Sequence, residues 1–233
     1  MNFPTPKLKN IFQKKFPIDR ILSIWGEFGV GKTTLALQIS ILSIEKRKKV
    51  IYFYTKPNFP YNKLFNFAED NFYQDISSFH SLFDLITIKN FSQLYSIILN
   101  LEYLFLTDKN NNLKTYFIVI DSLTDLYKSE LNFNNVDQNV RLNYQLNQIL
   151  ATLKYLKHKY DLDLLIINET SRTNQIGEIK ETQSGGKVME YWITDSIKIE
   201  RTNVLNKRKF KINRFDKNKN YEIILKINET GFE

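Results

Sequence analysis

Residues Ile21 to Thr34, ILSIWGEFGVGKTT, restrict this chain more than any other stretch. An apolar run with Ile21, Leu22, Ile24 and Trp25 reads as a buried strand, and Gly26, Gly29 and Gly31 break it. Lys32, Thr33 and Thr34 then open a segment with apolar residues at Leu35, Ala36, Ile39 and Leu42, close to helical spacing. Strand, glycine loop and helix in that order are the context of a phosphate-binding loop. Glycines let the backbone curl round an anion, so that successive N–H groups and the positive end of the helix face it. In such a loop Gly26, Glu27, Phe28, Gly29, Val30, Gly31, Lys32, Thr33 and Thr34 would cradle ATP. Lys32 would lie along the β- and γ-phosphates, and the Thr33 hydroxyl would be a ligand of Mg2+.

At 233 residues the chain can bury a substantial core, and one α/β domain over residues 20–233 accounts for it, preceded by an N-terminal arm over residues 1–19. The formal net charge of +8 favours polyanionic partners, nucleic acid first and anionic membrane second. Lysine is spread along the whole chain, however, and includes an ordinary-looking helix end at Lys46 to Lys49, so a general bias supplies much of the excess. The absence of cysteine excludes disulfides, thiolate metal sites and a cysteine nucleophile. His80 and His158 lie in unrelated segments, which argues against a histidine metal site. The first residues, MNFPTPKLKN, lack the apolar centre of a signal peptide, and no apolar run approaches the ~20 residues of a membrane span. These features imply a soluble cytoplasmic protein.

Along the chain the periodicity predicts a short helix at Leu8 to Lys15, a helix over Thr33 to Lys46 and a strand at Val50 to Tyr54. A helix at Tyr61 to Asp70, a strand at Phe83 to Ile88 and a helix over Phe91 to Phe105 follow, then a loop at Asn110 to Asn112. Tyr116 to Ile120 is a continuous apolar run, the pattern of a central parallel strand buried on both faces. Val136 to His158 reads as one long helix with Val140, Tyr144, Ile149, Leu153 and Leu156 on its apolar face, and Leu164 to Ile167 as another buried strand. Alternating strands and helices give a mainly parallel sheet flanked by helices. Thr170 to Lys187 is polar and reads as a mobile loop. Asp195 to Arg201, Arg208 to Arg214 and Tyr221 to Ile227 alternate as strands do and predict an antiparallel meander at one edge.

Asp121 follows the apolar run at the C-terminal end of its strand, where a carboxylate would hold Mg2+ through water. Around it, FIVIDSLTDLYKSEL from Phe117 to Leu131 resembles the second nucleotide motif of the archaeal and eukaryotic RecA-type recombinases. LLIINET at Leu164 to Thr170 is similar to the switch strand of that family, and SGGKVMEYW at Ser184 to Trp192 to the stretch after its second DNA-binding loop. Within the family the chain resembles the RadB paralogues of archaeal RadA, with no helix-hairpin-helix domain before the core and with Glu190, Tyr191 and Trp192 after the paired glycines.

The resemblance implies a RecA-like ATPase core that works with ATP and Mg2+ on DNA, single-stranded DNA above all, or with a RadA-type recombinase or other repair protein. It places Asn168 at a γ-phosphate sensor, where the family has an Asn-Gln pair and this chain has Asn168-Glu169. Glu169 is expected to point away from the triphosphate or to meet a lysine. Where the family carries a water-polarising carboxylate after its second strand, this chain has Lys56, which is cationic and a poor base. ATP is therefore expected to bind well and turn over slowly. The first DNA loop corresponds to Lys128 to Asn139, with Arg141 beyond it, and the second to Ser171 to Lys187, with Arg172, Lys180 and Lys187. A larger basic cluster, Lys207, Arg208, Lys209, Lys211, Arg214, Lys217 and Lys219, reads equally as a DNA face or as a solvated sheet edge. The family's Phe-x-x-Ala linker is not evident in Met1 to Asp19, which argues against long filaments and leaves smaller homo-oligomers open. Two alternatives stand beside this reading: a KaiC-like signalling ATPase with protein partners, and a scaffold in which ATP is only structural.

Overall fold

Alternation along the central strands divides the apolar residues between two cores, one on each face of a single sheet. The computed structural model describes residues 1–12, 20–72, 76–107, 115–175, 178–214 and 219–233. In β4 (Tyr116–Asp121), Phe117 and Val119 enter one core while Ile118 and Ile120 enter the other. β5 (Asp163–Gln175) divides in the same way, with Leu165 and Ile167 against Leu164 and Ile166. Both strands are buried on both faces here, which is why they read as unbroken apolar runs.

The first core is roofed by α2 (Lys32–Ile44) and α3 (Tyr61–Phe72), together with the N-terminal arm. The arm holds α1 (Pro6–Ile11), and its Phe3, Leu8 and Phe12 are buried in that core. Thr5 caps α1 by accepting from the Leu8 amide at 3.3 Å, and Pro6 stands at the first turn. Those capping residues start the helix earlier than its apolar spacing suggests, and residues 13–15 of the predicted helix lie outside the described ones, as does the predicted loop at Asn110 to Asn112. The second core lies under α5 (Phe91–Thr107), α6 (Leu123–Glu130), α7 (Val136–Tyr160) and α8 (Gly186–Trp192). A short helix that the sequence did not announce, α4 (Ile76–Leu82), precedes β3 (Phe83–Thr87).

The remaining strands are β1 (Leu22–Gly26), β2 (Lys49–Tyr54), β6 (Glu178–Gln183), β7 (Asp195–Arg201), β8 (Lys207–Arg214), β9 (Lys219–Asn228) and β10 (Gly231–Phe232). Among the described residues the sheet order is β10-β9-β8-β7-β1-β5-β4-β2-β3, with β6 paired to β5. From β7 to β3 every neighbouring pair is parallel, and β8, β9 and β10 add antiparallel strands at one side. β7 opens the expected antiparallel meander by pairing with β8, and its other edge joins the parallel part beside β1. The RecA-like architecture expected from sequence is the one observed. No helix among the described residues is long and apolar enough to cross a membrane.

Three sequence readings need correction. On α7 the buried stripe is Leu142, Leu146, Ile149, Leu150, Leu153 and Leu156, whereas Val140 and Tyr144 are exposed. Val140 and Tyr144 share a face with each other at i, i+4, and the polar residues between them obscured which face is inward. The polar stretch from Thr170 is not a loop but a long hairpin, in which β5 runs on past the sheet to Gln175 and returns as β6. Likewise Lys128 to Asn139 is only partly loop, since α6 runs on through Lys128 to Glu130 and α7 has begun by Val136. Asn135 starts α7 by accepting from the Gln138 amide at 3.0 Å.

Candidate nucleotide site

The C-terminal ends of β1, β2, β4 and β5 converge on the loop between β1 and α2, the place where open parallel sheets hold ligands. Gly31 caps α2 in a left-handed conformation at φ +107°, and a Cβ there would come within 2.7 Å of the Phe232 ring. Only glycine suits that position, so β10 fixes the back of the loop. The cleft in front of it, about 290 Å³, is lined by Phe28, Gly29, Lys32, Thr33, Tyr54 and Lys56. It adjoins a wider recess of about 760 Å³ through Pro60, Lys63 and Ile227. Thr34 faces the cleft and accepts from Lys63 Nζ at 3.0 Å.

Lys32 is buried, and its ammonium makes three bonds. It donates to the carbonyl oxygens of Gly26 at 2.8 Å and Glu27 at 2.7 Å, and to Glu169 Oε2 at 2.7 Å. Burial pulls its pKa down, against the opposing pull of Glu169. The other oxygen of the same carboxylate accepts from Lys56 Nζ at 2.6 Å. Lys56 also lies 3.5 Å from Asp125 and 5.8 Å from the centre of the exposed Phe28 ring. Burial alone would lower the Lys56 pKa, but the bond to Glu169 and the charges of Glu169, Asp125 and Asp121 raise it. Glu169 thus meets a lysine as expected, and in fact two.

Thr33 Oγ1 donates to Asp121 Oδ2 at 2.7 Å, and Tyr52 Oη donates to the same oxygen at 2.9 Å. Asp121 is fully buried, which raises its pKa although both donors and the two lysines favour the anion. Its other oxygen, Oδ1, is buried with no hydrogen-bond partner among the described residues. An orphaned carboxylate oxygen beside a threonine hydroxyl is a set of hard oxygen donors suited to Mg2+, so the residues fit that ion. Among the described residues no group of three or more His, Cys, Asp or Glu side chains forms a cage of its own. A metal here would need ligands from the nucleotide as well, as Mg2+ commonly does.

Asn168 ends the buried part of β5; it accepts from Thr124 Oγ1 at 3.2 Å and donates to Gln183 Oε1 at 3.2 Å. Tyr52, Asp125, Lys63 and Arg201 were not singled out from the sequence. Arg201 donates to the Phe28 carbonyl at 3.1 Å. Of these only Tyr52 carried a signal, since a tyrosine in a wholly buried strand needs a hydrogen-bond partner.

The residues expected to meet DNA separate. Lys128 and Lys187 line one cleft of about 450 Å³ with Tyr127, Leu131, Ser171 and Gly186, and Lys128 Nζ reaches the Thr170 carbonyl at 3.4 Å. Arg141 is exposed on α7 and is not part of that lining, to which Asn143 of the same helix belongs. Arg172 is ion-paired with Glu27 of the phosphate loop and with Glu181 of β6. The backbone of Lys180 lies in β6, and its side chain is outside the described ones, as are Lys217 and the side chain of Lys219. In the basic cluster, Lys209 pairs with Glu222 at 2.8 Å and Lys211 with Glu200 at 2.9 Å. Arg208 and Arg214 are buried, so the cluster presents far less free charge than its sequence suggests.

A Rad51 family model matches residues 5–233. The chain belongs to the Rad51 family. Among its curated relatives is the DNA repair and recombination protein RadB of Methanococcus maripaludis strain C5, 27% identical over 187 residues, which are 80% of this chain and 79% of that protein. RadB of Thermococcus sibiricus is 28% identical over 200 residues, covering 82% and 78%. RadB of Methanococcoides burtonii is 26% identical over 191 residues, covering 81% and 77%. The Rad51-family match and these relatives agree with the resemblance to RadB carried by the Asp-Ser-Leu-Thr and Gly-Gly to Tyr-Trp motifs. The two positions at which the resemblance leads one to expect a carboxylate and an amide are Lys56 and Glu169, and the two side chains touch.

Proposed function

We propose that this chain is an ATP-binding accessory of homologous recombination and DNA repair, acting on single-stranded DNA or on a RadA-type recombinase in the cytoplasm. The observation that carries the reading is the hydrogen bond from Thr33 to Asp121, because it joins the phosphate loop to a carboxylate with an oxygen to spare. The loop amides and Lys32 would hold the phosphates, and Thr33 and Asp121 would hold Mg2+, which supplies charge neutralisation between the phosphates when bound. The chain's own residues position rather than hydrolyse. Lys56 is a raised-pKa cation tied to carboxylates and cannot orient water as a base.

The route from this site to DNA is the hairpin. Glu169 at its root contacts two lysines of the cleft, Lys32 and Lys56, and Arg172 on β5 ties the hairpin to Glu27 of the loop. Ligand at the loop would therefore bias the hairpin between arrangements, as a population shift and not as a motor. Lys128 and Lys187 beside that hairpin would meet phosphates of the strand. The test is single-strand binding measured against salt, with and without ATP and Mg2+. The reading requires salt-sensitive binding that responds to nucleotide. Binding that ignores nucleotide, or no binding of DNA or a RadA-type protein, contradicts it.

A further inference from the structure

We propose that the Glu169 carboxylate competes with the last phosphate of a nucleoside triphosphate for Lys56 and Lys32, and so sets how the site discriminates triphosphate from diphosphate. The inference rests on the nucleotide reading above and adds a specificity residue to it.

The geometry is that of a clamp. One carboxylate bridges two lysines from different elements, Lys32 at the start of α2 and Lys56 just beyond β2, with one oxygen on each at 2.7 and 2.6 Å. Such charge-assisted bonds are among the stronger ones a side chain makes. The three N–H donors of Lys32 already have three acceptors, Gly26 O, Glu27 O and Glu169 Oε2. An anion reaching Lys32 must replace one of them, and the side-chain carboxylate is the acceptor that can rotate away. Lys56 is held on both sides, by Glu169 and by Asp125 at 3.5 Å.

The cleft lining takes in Gly29, Gly31 and Thr33 of the loop together with Lys56 from beyond β2. A ligand that fills only the loop end leaves the Glu169–Lys56 bond standing. A ligand with one phosphate more extends toward Lys56, and its charge meets the carboxylate unless Glu169 withdraws. Diphosphate meets the carboxylate at Lys32 alone and triphosphate meets it at both lysines, so triphosphate carries the larger cost, which a neutral residue at 169 removes.

Withdrawal has a structural consequence. The Glu169 carbonyl accepts from both the amide and the hydroxyl of Ser184, each at 2.9 Å, at the base of the hairpin. Asn168 is bonded across the same base to Gln183. The residue that senses the last phosphate is therefore bonded to the hairpin root, so discrimination between ligands and hairpin position share one side chain.

The experiment is calorimetric titration of wild type, Glu169→Gln and Glu169→Asp with ADP and with a non-hydrolysable ATP analogue, each with Mg2+. The amide of Glu169→Gln keeps the size and an acceptor oxygen while removing the charge. Glu169→Asp keeps the charge but is too short to bridge both lysines. Glu169→Gln is expected to tighten the triphosphate analogue on the order of tenfold and ADP by less than about threefold. Glu169→Asp is expected to fall between it and wild type. Both nucleotides binding with an unchanged ratio in all three proteins overturns this inference alone. Neither nucleotide binding wild type overturns the nucleotide reading together with it.

Discussion

Thr33 stands 2.7 Å from Asp121, hydroxyl to carboxylate, across the gap between the first turn of α2 and the end of β4. Tyr52 donates to the same carboxylate oxygen at 2.9 Å, leaving Oδ1 without a hydrogen-bond partner among the described residues. Removing the Thr33 hydroxyl with Thr33→Val takes away a ligand, whereas Tyr52→Phe takes away only its support. Thr33→Val should weaken Mg2+-dependent nucleotide binding by about 1–3 kcal/mol, the scale of a charge-assisted bond. Tyr52→Phe should leave nucleotide bound but require more Mg2+. Titrating Mg2+ at fixed nucleotide separates the two effects.

Lys56 and Glu169 should be exchanged together to obtain turnover. Lys56→Glu alone would set a second carboxylate against Glu169, which is 2.6 Å from the lysine it replaces, and like charges at that range repel. The double variant Lys56→Glu, Glu169→Gln restores a carboxylate after β2 and an amide on β5. Phosphate release should be near background in wild type and at least tenfold faster in the double variant, within the usual range of a positioned base.

Acid should weaken the clamp in a defined direction. Burial pushes the Glu169 carboxyl up, but the bonds from Lys32 and Lys56 outweigh it and hold its pKa below the ordinary glutamate range. A depressed carboxylate contributes stability that is complete above the unfolded-state pKa and is lost as pH falls through the folded one. Glu169→Gln should therefore be less stable than wild type near pH 7, on the order of 1–3 kcal/mol. The gap should narrow as pH falls below about 4, where the unfolded carboxylate takes its proton first, and close once the folded carboxylate is protonated as well. Thermal melts of both proteins across that range decide it.

The long helix shows where sequence legibility ended. The strands and most helices were readable because Tyr116 to Ile120 and Leu164 to Ile167 are apolar on both faces and Asp121 closes the first run. On α7, with Asn, Gln and Tyr interspersed, the inward face could not be fixed, and Val140 and Tyr144 were placed on it wrongly. Leu153→Ala should cost about 2–5 kcal/mol and Val140→Ala within about 0.5 kcal/mol, as buried and exposed positions do. The P-loop and Asp121 were legible because spacing alone defines them. The two-lysine clamp was not, since it joins residues 113 positions apart. The hairpin was missed for a related reason: its strands are polar on both faces and carry no alternation to read.

DNA binding, if it follows the hairpin, should depend on Lys128 and Lys187 and not on the terminal sheet. Replacing either by alanine should lower affinity and reduce the dependence of log K on log salt by about one phosphate contact. Lys209→Ala should change little, because its charge is already met by Glu222 at 2.8 Å. Salt titrations of the three variants compare these surfaces.

The central claim is that the loop after Trp25 holds a nucleotide with Mg2+. Its most direct measurement is ATP binding to wild type and Lys32→Ala, with and without Mg2+, at matched circular dichroism. The expected result is one nucleotide per wild-type chain, bound more tightly with Mg2+, and affinity at least about a hundredfold lower in Lys32→Ala. Equal binding by the two proteins, or none by wild type, would contradict it.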